Sequence, residues 1–163
     1  MIEYIKGDLF ETDCDIIAHQ VNCMGVMEHG VAFQVRDKFP DVYNNYRIYC
    51  RQNKNLLGTI FICPSLYENG KIIVNMFAQE TYGKGLHTDY VSLFKCLGLL
   101  HDLAEEQKVS VALPYKVGCG LAGGDWSIVQ PMVEDVFSDN ILCKVYKLDK
   151  GEKYEDIYGS NGV

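Results

Sequence analysis

The chain has 163 residues, 48% of them hydrophobic, which fits one domain with a core of ordinary size and excludes a disordered or fibrous chain. No apolar run reaches the roughly 20 residues of a membrane span, and the first residues lack a signal-peptide pattern, so we expect no membrane association. With a formal net charge of −7 and no dense basic run, the chain is a poor candidate for binding a nucleic-acid backbone.

The cysteines point to a reducing compartment. There are 7, an odd number, and no two stand at the CxxC spacing of a zinc ribbon or thioredoxin-like motif. Several lie inside apolar stretches, as expected for buried free thiols. We therefore expect a cytoplasmic protein. No His/Cys/Asp cluster has metal-ligand spacing, so we expect no metal site, and we also expect a monomer without a cofactor.

Strand and helix patterns alternate along the first third of the chain. Residues 2–6 and 15–21 are predicted strands, and the second is an apolar run typical of a buried strand. Residues 30–38 and 41–51 are predicted helices, with Pro40 marking the boundary between them.

Two further strands are predicted in the middle of the chain. Residues 59–63 and 71–77 are rich in Ile, Val and Phe. The Asn69-Gly70 pair between them is typical of a tight turn. We therefore expect a hairpin here, and a mixed sheet instead of an all-parallel one.

The clearest predicted helix covers residues 89–107, where apolar residues recur every three or four positions. Thr88 is a candidate for its N-cap. Residues 109–113 are apolar and predict a strand that Pro114 stops.

The last predicted helix covers residues 125–137, and the last predicted strand covers 143–148. Pro131 falls inside that helix, so either the helix kinks there or it begins with Pro131 in its first turn. We expect one domain over residues 1–149 and a loosely ordered polar tail over 150–163.

Two predicted strands are followed by glycine-containing loops that lead into helices. These loops cover residues 22–32 and 118–126. Alternating strands and helices predict an α/β fold with helices on both faces of the sheet and ligands beyond the C-terminal strand ends. Glycine lets backbone amides approach a ligand, and a helix N-terminus adds unpaired N–H groups. Neither loop has a known nucleotide-loop spacing, but side by side they predict a site for a phosphorylated nucleotide.

Several short sequences at these strand ends resemble those of macrodomains. They are Gly7-Asp8-Leu9, Ile17-Ala18-His19-Gln20-Val21-Asn22-Cys23, the loop over 25–32, and Leu113-Pro114 followed by Gly118-Cys119-Gly120-Leu121. The resemblance covers residues 1–148 and implies a three-layer α/β/α fold with a central mixed six-stranded sheet. Within the family the chain is most similar to the ADP-ribose-1″-phosphate phosphatase branch, as His19 and the segments 55–58 and 64–69 suggest.

The resemblance implies a site for ADP-ribose. It assigns Asp8 to the adenine, with the backbone amide of Leu9 beside it, and Asn22 to the distal ribose. By themselves, Asp8 could equally be a solvated turn residue and Asn22 a turn or cap residue. Backbone amides would hold the phosphates and enclose the distal ribose, from Gly30, Val31 and Ala32 in the first loop and from Gly118, Cys119, Gly120, Leu121, Ala122 and Gly123 in the second.

The candidate catalytic residues are His19 and Asp125, together with Asn22. Histidine titrates near neutral pH and could transfer a proton, although it could equally be a neutral residue hydrogen-bonded inside the sheet. Asp125 could orient water, but it is also a natural N-cap. Strand alternation puts His19 and Asn22 on opposite faces, so joint action requires the strand to end or bend between them. Glu28 and His29 are expected to be solvated loop residues.

Macrodomain branches that remove ADP-ribose with a lysine carry an aspartate where this chain has Ala122, and Lys84 does not match their lysine. We therefore expect a hydrolase that acts at the distal ribose of ADP-ribose-1″-phosphate, or of ADP-ribose attached to a protein or nucleic acid. The alternative is a module that binds ADP-ribose, or sequesters a related nucleotide, without turnover.

Overall fold

The computed structural model describes residues 1–67 and 70–148. Within them, one sheet has the strand order β1-β6-β5-β2-β4-β3. All neighbouring strands are parallel except β3 and β4, which pair antiparallel. The predicted mixed six-stranded sheet is therefore confirmed, whereas the predicted turn at Asn69 lies outside the described residues. The strands are β1 (Ile2–Lys6), β2 (Ile16–Asn22), β3 (Ile60–Pro64), β4 (Ile72–Gln79), β5 (Val111–Pro114) and β6 (Cys143–Lys147).

Four α-helices cover the sheet. They are α1 (Gly30–Lys38), α2 (Pro40–Gln52), α3 (Tyr90–Gln107) and α4 (Trp126–Val136), and a short 3-10 helix, Leu9–Glu11, follows β1. Each predicted helix is present with bounds that differ by at most one residue. None of these described helices combines the length and apolar character that a membrane crossing requires.

Alternate residues of β2 enter two different hydrophobic cores. Ile16 and Ala18 pack in the core that includes the buried residues of α3 and α4. Ile17 and Val21 pack in the core that includes Val35 of α1 and the buried residues of α2. Because successive side chains of a strand point to opposite faces, the helices lie on both sides of the sheet, and the predicted three layers are confirmed.

Strands β2 and β5 are paired only at their beginnings. Ile16 lies opposite Val111 and Ile17 opposite Ala112, and the pairing stops there. Beyond this point β2 stays paired with β4, while β5 stays paired with β6. A gap therefore opens between the C-terminal ends of two parallel neighbours, which is where ligands bind in open α/β sheets.

The predicted strand over residues 109–113 begins too early. The backbone N–H of Val109 donates to the carbonyl oxygen of Ala104 at 3.0 Å, and Lys108 is left-handed with φ 57°, so both residues complete the C-terminal turn of α3. The strand starts at Val111 and includes Pro114.

Two helix starts also differ from expectation. Asp89, and not Thr88, is the N-cap of α3, and the Thr88 hydroxyl instead donates to the carbonyl oxygen of Gly118 at 2.5 Å. Helix α4 begins directly after Asp125 and continues through Pro131, so the alternative of a helix that starts at Pro131 is wrong.

The core between the sheet and α3 gives a direct test of packing. Leu97 is fully buried, whereas Leu99 on the same helix is 42% exposed. We expect Leu97→Ala to lower the free energy of unfolding by about 2–5 kcal/mol because it leaves a cavity. Leu99→Ala, the matched control, should change it by no more than about 0.5 kcal/mol. Urea denaturation measures both, and equal losses would contradict this assignment of the core.

Candidate functional site

A cleft of about 140 Å³ lies at the gap between β2 and β5. It is lined by the end of β2, the start of α1, the loop after β4 and the loop after β5. The predicted site residues in its lining are His19, Asn22, Gly30, Val31, Ala32, Gly118, Gly120, Leu121 and Ala122. The predicted site residues outside the lining are Asp8, Leu9, Cys119, Gly123 and Asp125. The two glycine loops therefore meet at one site, as their strand order requires.

Asn22 organises the first loop. Its Oδ1 accepts hydrogen bonds from the backbone N–H of Met24 at 2.9 Å and of Val26 at 3.3 Å, and its Nδ2 donates to the carbonyl oxygen of Val26 at 2.8 Å. The buried hydroxyl of Tyr46, on α2, donates to the Asn22 carbonyl oxygen at 2.6 Å. A turn role for Asn22 is therefore present, and within the described residues one Nδ2 hydrogen has no partner.

The start of α1 offers unpaired backbone donors to the cleft. Gly30, Val31 and Ala32 form its first turn and line the cleft. The first N–H groups of an α-helix have no acceptor within the helix, and the helix dipole adds positive potential there. His29, at the N-cap, supplies no capping hydrogen bond from its side chain. This end of the helix can bind an anion.

A shift in the pairing of β2 brings His19 and Asn22 to the same side. The register with β4 slips between Val21 and Asn22. His19 lies between Ile17 and Val21 in the alternation of β2, so it faces α2. After the slip, the Asn22 side chain also faces α2, where its Oδ1 lies 3.0 Å from the hydroxyl of Tyr46. The strand therefore bends between His19 and Asn22, as a joint role of these two side chains in one reaction requires.

His19 is buried, with 1% of its surface exposed, although it lines the cleft. Its Nε2 lies 2.8 Å from Oδ1 of Asn75, and its Nδ1 has no hydrogen-bond partner among the described residues. Burial lowers the pKa of His19 to about 4, against an opposing effect of the hydrogen bond to Asn75. The ring is therefore neutral at pH 7 and can accept a proton, but it holds no additional proton to donate.

A polar network that the sequence did not reveal joins the loops around the cleft. Nε2 of Gln20 donates to Oε1 of Gln79 at 2.9 Å and to the Thr88 hydroxyl at 2.8 Å. Thr88 in turn donates to the carbonyl oxygen of Gly118. Oε1 of Gln20 is buried and has no partner among the described residues. The one available signal was Gln20 itself, a polar residue in the second half of a mostly apolar strand.

The second loop packs closely against the loop after β4. The backbone N–H groups of His87 and Thr88 donate to the carbonyl oxygen of Ala122 at 2.8 and 3.2 Å. Gly123 has φ +77°, and a Cβ there would lie 2.5 Å from the carbonyl oxygen of Gly85. Only glycine fits this position without displacing backbone.

The sequence model of the Macro domain family matches residues 18–133. The chain belongs to the Macro domain family. The predicted family is therefore confirmed, and both the cleft and its two loops lie within the part of a macrodomain that the match covers.

Two curated relatives match the macrodomain almost end to end. It is 33% identical over 158 residues to an ADP-ribose 1″-phosphate phosphatase of Candida albicans, a match that covers 90% of this chain and 99% of that protein. It is 31% identical to an ADP-ribose 1″-phosphate phosphatase of Debaryomyces hansenii, over 91% of this chain and 100% of that protein.

A second kind of relative is larger. The macrodomain is 28% identical over 138 residues to a DNA ADP-ribosyl glycohydrolase of Mycobacterium tuberculosis, a match that covers 84% of this chain but 39% of that protein. Among solved structures, the macrodomain of Mycobacterium tuberculosis DarG is similar, with a TM-score of 0.80 and 27% identity over 90% of this chain and 97% of that one.

Asp8 and Leu9 lie at the same edge of the macrodomain sheet as the cleft, but not in its lining. Asp8 follows β1 and caps the 3-10 helix, because its Oδ1 accepts from the backbone N–H of Phe10 at 2.9 Å. The Leu9 side chain is fully buried in the core. Three strand spacings separate β1 from β2, which is about 14 Å.

Asp125 caps α4 and does not line the cleft. Its Oδ1 accepts hydrogen bonds from the backbone N–H of Ser127 at 2.9 Å and from the Ser127 hydroxyl at 2.7 Å. These hydrogen bonds lower the pKa of Asp125. The sequence left two roles open for Asp125, capping the helix and orienting water. Its carboxylate makes the hydrogen bonds of a helix cap.

Cys119 is held as a thiol. Burial raises its pKa to about 11, and its Sγ donates to the carbonyl oxygen of Val117 at 3.4 Å. A thiol with such a pKa supplies almost no thiolate at neutral pH, so it is poorly suited to act as a nucleophile.

Outside the cleft, His101, Asp102 and Glu105 on α3 bring three possible metal ligands within 4.8 Å of one another. Sequence reasoning missed this group, although the four-residue spacing of His101 and Glu105 was a signal. Nε2 of His101 lies 2.7 Å from Oδ2 of Asp139. Burial lowers the pKa of His101, but the carboxylates of Asp139 and Asp102 raise it more, so its pKa lies above the usual value.

The close approach at Gly123 leads to a prediction for the stability of the macrodomain. Gly123→Ala should lower the free energy of unfolding by about 1–3 kcal/mol, because the added Cβ meets a carbonyl oxygen at a positive φ. The control is Gly98→Ala, where a Cβ in α3 meets nothing within 4 Å. Alanine favours helix, so this variant should gain about 0.5–1 kcal/mol. Thermal or urea unfolding measures both changes, and a loss in Gly98→Ala alone would contradict the predicted difference.

Proposed function

We propose that this macrodomain binds ADP-ribose and hydrolyses a bond at the distal ribose of ADP-ribose derivatives. The candidate substrates are ADP-ribose-1″-phosphate, the substrate in the names of the Candida and Debaryomyces relatives, and ADP-ribose attached to a protein or nucleic acid. The observation that carries the proposal is the cleft. Residues of two glycine-containing loops line it at one sheet edge, beside buried polar atoms of His19 and Gln20 that have no partner among the described residues.

The diphosphate is held mainly by backbone amides in this proposal. A helix N-terminus and a glycine loop supply positive potential without lysine or arginine, so a chain with net charge −7 can still bind a small anion. The first phosphate is assigned to Gly30, Val31 and Ala32, and the second phosphate with the distal ribose to Gly118, Cys119, Gly120, Leu121, Ala122 and Gly123.

The two ends of the ligand are assigned to side chains. The adenine is assigned to Asp8 and the backbone amide of Leu9, because an extended nucleotide can reach across the about 14 Å that separates β1 from β2. The distal ribose is assigned to Asn22, whose remaining Nδ2 hydrogen can donate to a hydroxyl.

His19 is the proton acceptor in the proposed reaction. In hydrolysis of ADP-ribose-1″-phosphate, the water oxygen bonds to phosphorus and the bond from phosphorus to the 1″ oxygen breaks. Nδ1 of His19 accepts the proton that the water loses and later releases it to solvent, and the leaving 1″ oxygen takes up a proton from solvent as it departs. Asp125 is left out of the reaction, because it caps α4 outside the cleft lining.

We propose that residues 1–149 form one domain, which acts as a cytoplasmic monomer. All seven cysteines are free thiols in the structure, the usual state in a reducing compartment. The polar segment 150–163 lies outside the described residues and has no role in the proposed chemistry.

Two variants distinguish the candidate catalytic residues. His19→Gln should lower kcat for phosphate release from ADP-ribose-1″-phosphate by about 10²–10⁴-fold, because it removes the proton acceptor. Asp125→Asn should keep most of the activity, because asparagine is also a good N-cap. Phosphate release measures both rates, and calorimetry with ADP-ribose checks that each variant still binds. Loss of activity in Asp125→Asn with a native fold would return Asp125 to the mechanism.

The substrate is decided by parallel incubations with ADP-ribose-1″-phosphate, ADP-ribosylated protein and ADP-ribosylated DNA. Release of phosphate or of ADP-ribose from one of them supports the hydrolase and names its substrate. Tight binding of ADP-ribose without any release would instead support a module that binds without turnover. The low pKa of His19 favours this second function, because the neutral ring has no additional proton to give to a leaving group.

A further inference from the structure

Asn75 is a buried amide in the middle of β4. It is fully buried, and its neighbours on the same face of the strand, Ile73 and Phe77, are apolar core residues. It lies directly opposite His19 in the parallel register of β2 and β4. A buried amide is costly unless its polar atoms have partners, so the partners of Asn75 indicate what it does.

The orientation of the Asn75 amide is fixed by a backbone carbonyl. Nδ2 of Asn75 lies 3.2 Å from the carbonyl oxygen of Phe61, on β3. A carbonyl oxygen can only accept, so the amide nitrogen must face Phe61 and Oδ1 must face His19. Reversing the amide would place two acceptors against each other.

This orientation determines where His19 carries its hydrogen. Oδ1 of Asn75 can only accept, so the Nε2 of His19, 2.8 Å away, must be the donor. A neutral imidazole carries one N–H, so Nδ1 is unprotonated. Nδ1 is also the ring atom that has no partner among the described residues, in a side chain that lines the cleft.

We propose that Asn75 is a positioning residue that fixes His19 in its Nε2–H tautomer and thereby leaves Nδ1 as the acceptor for a hydroxyl or water in the cleft. Its importance for catalysis rests on the proposed function, whereas the tautomer itself does not. Asn75 does not line the cleft and acts only through His19. The opposite tautomer would leave a buried N–H at Nδ1 without a partner among the described residues and set a lone pair of Nε2 against Oδ1 of Asn75.

The test uses the full chain with ¹⁵N-labelled histidine. The chain has four histidines, and comparison with His19→Gln assigns the His19 signals. At neutral pH we expect a protonated Nε2, with its one-bond coupling to hydrogen, and an unprotonated, deshielded Nδ1. A predominant Nδ1–H form would overturn the proposal.

Three substitutions then separate the role of Asn75 from its packing. Asn75→Leu removes the acceptor, so the tautomer ratio should shift roughly tenfold toward Nδ1–H, because a buried N–H without an acceptor is unfavourable. Asn75→Asp, with its carboxyl protonated so that it still donates to the Phe61 carbonyl, keeps an acceptor for Nε2–H and should keep the Nε2–H form. If the leucine variant does not fold, Asn75→Ser serves instead, because its hydroxyl both donates and accepts and relaxes the preference. An unchanged ratio in the folded leucine or serine variant would overturn the proposal.

Turnover adds a second readout where the wild type is active. Asn75→Leu should lower kcat roughly tenfold while KM stays unchanged, because the fraction of His19 in the Nε2–H tautomer falls by the same factor. Asn75→Asp should retain more activity than the leucine variant. A loss of kcat in the leucine variant with an unaltered tautomer ratio would contradict the positioning role. If the wild type has no turnover, the proposed hydrolase fails, and the tautomer measurement still decides the role of Asn75.

Discussion

The cleft depends on how β2 and β5 pair. The two strands are parallel neighbours for only two residue pairs, and after that each follows its other partner. Parallel pairing places both C-terminal ends at one edge of the sheet, and early separation opens space between them. Residues of the loop after each strand then line the same cleft. An anion site built in this way requires no basic side chain, which reconciles the acidic composition with the binding of a phosphorylated ligand.

The slip in register between Val21 and Asn22 places the Asn22 side chain on the same side of the sheet as His19. Without the slip, Asn22 would face the opposite side of the sheet from His19. With it, Asn22 contacts Tyr46 and shapes the first loop, while His19 stays buried earlier in the strand. Burial keeps the imidazole neutral, and Asn75 contacts one of its nitrogens, so the other has no partner among the described residues.

The sequence predicted the features that depend on local patterns. Apolar runs located the strands, and the apolar periodicity of α3 located the longest helix. Errors arose where a residue had two possible partners. Val109 has a strand-like side chain, but its N–H completes the turn that ends α3. Thr88 is a good capping residue, but its hydroxyl donates a hydrogen bond to the carbonyl oxygen of Gly118. Asn75 and Gln20 carry no motif at all, because their roles come from neighbouring strands and loops that only the fold brings together.

The central claim is that backbone amides of the two glycine loops hold the diphosphate of ADP-ribose. A titration of the ¹⁵N-labelled protein with ADP-ribose, followed by amide chemical shifts, tests it most directly. We predict that the largest shifts belong to the amides of residues 30–32 and 118–123, and that AMP alone reproduces only part of them. Saturable binding with its largest shifts outside both loops would contradict the claim.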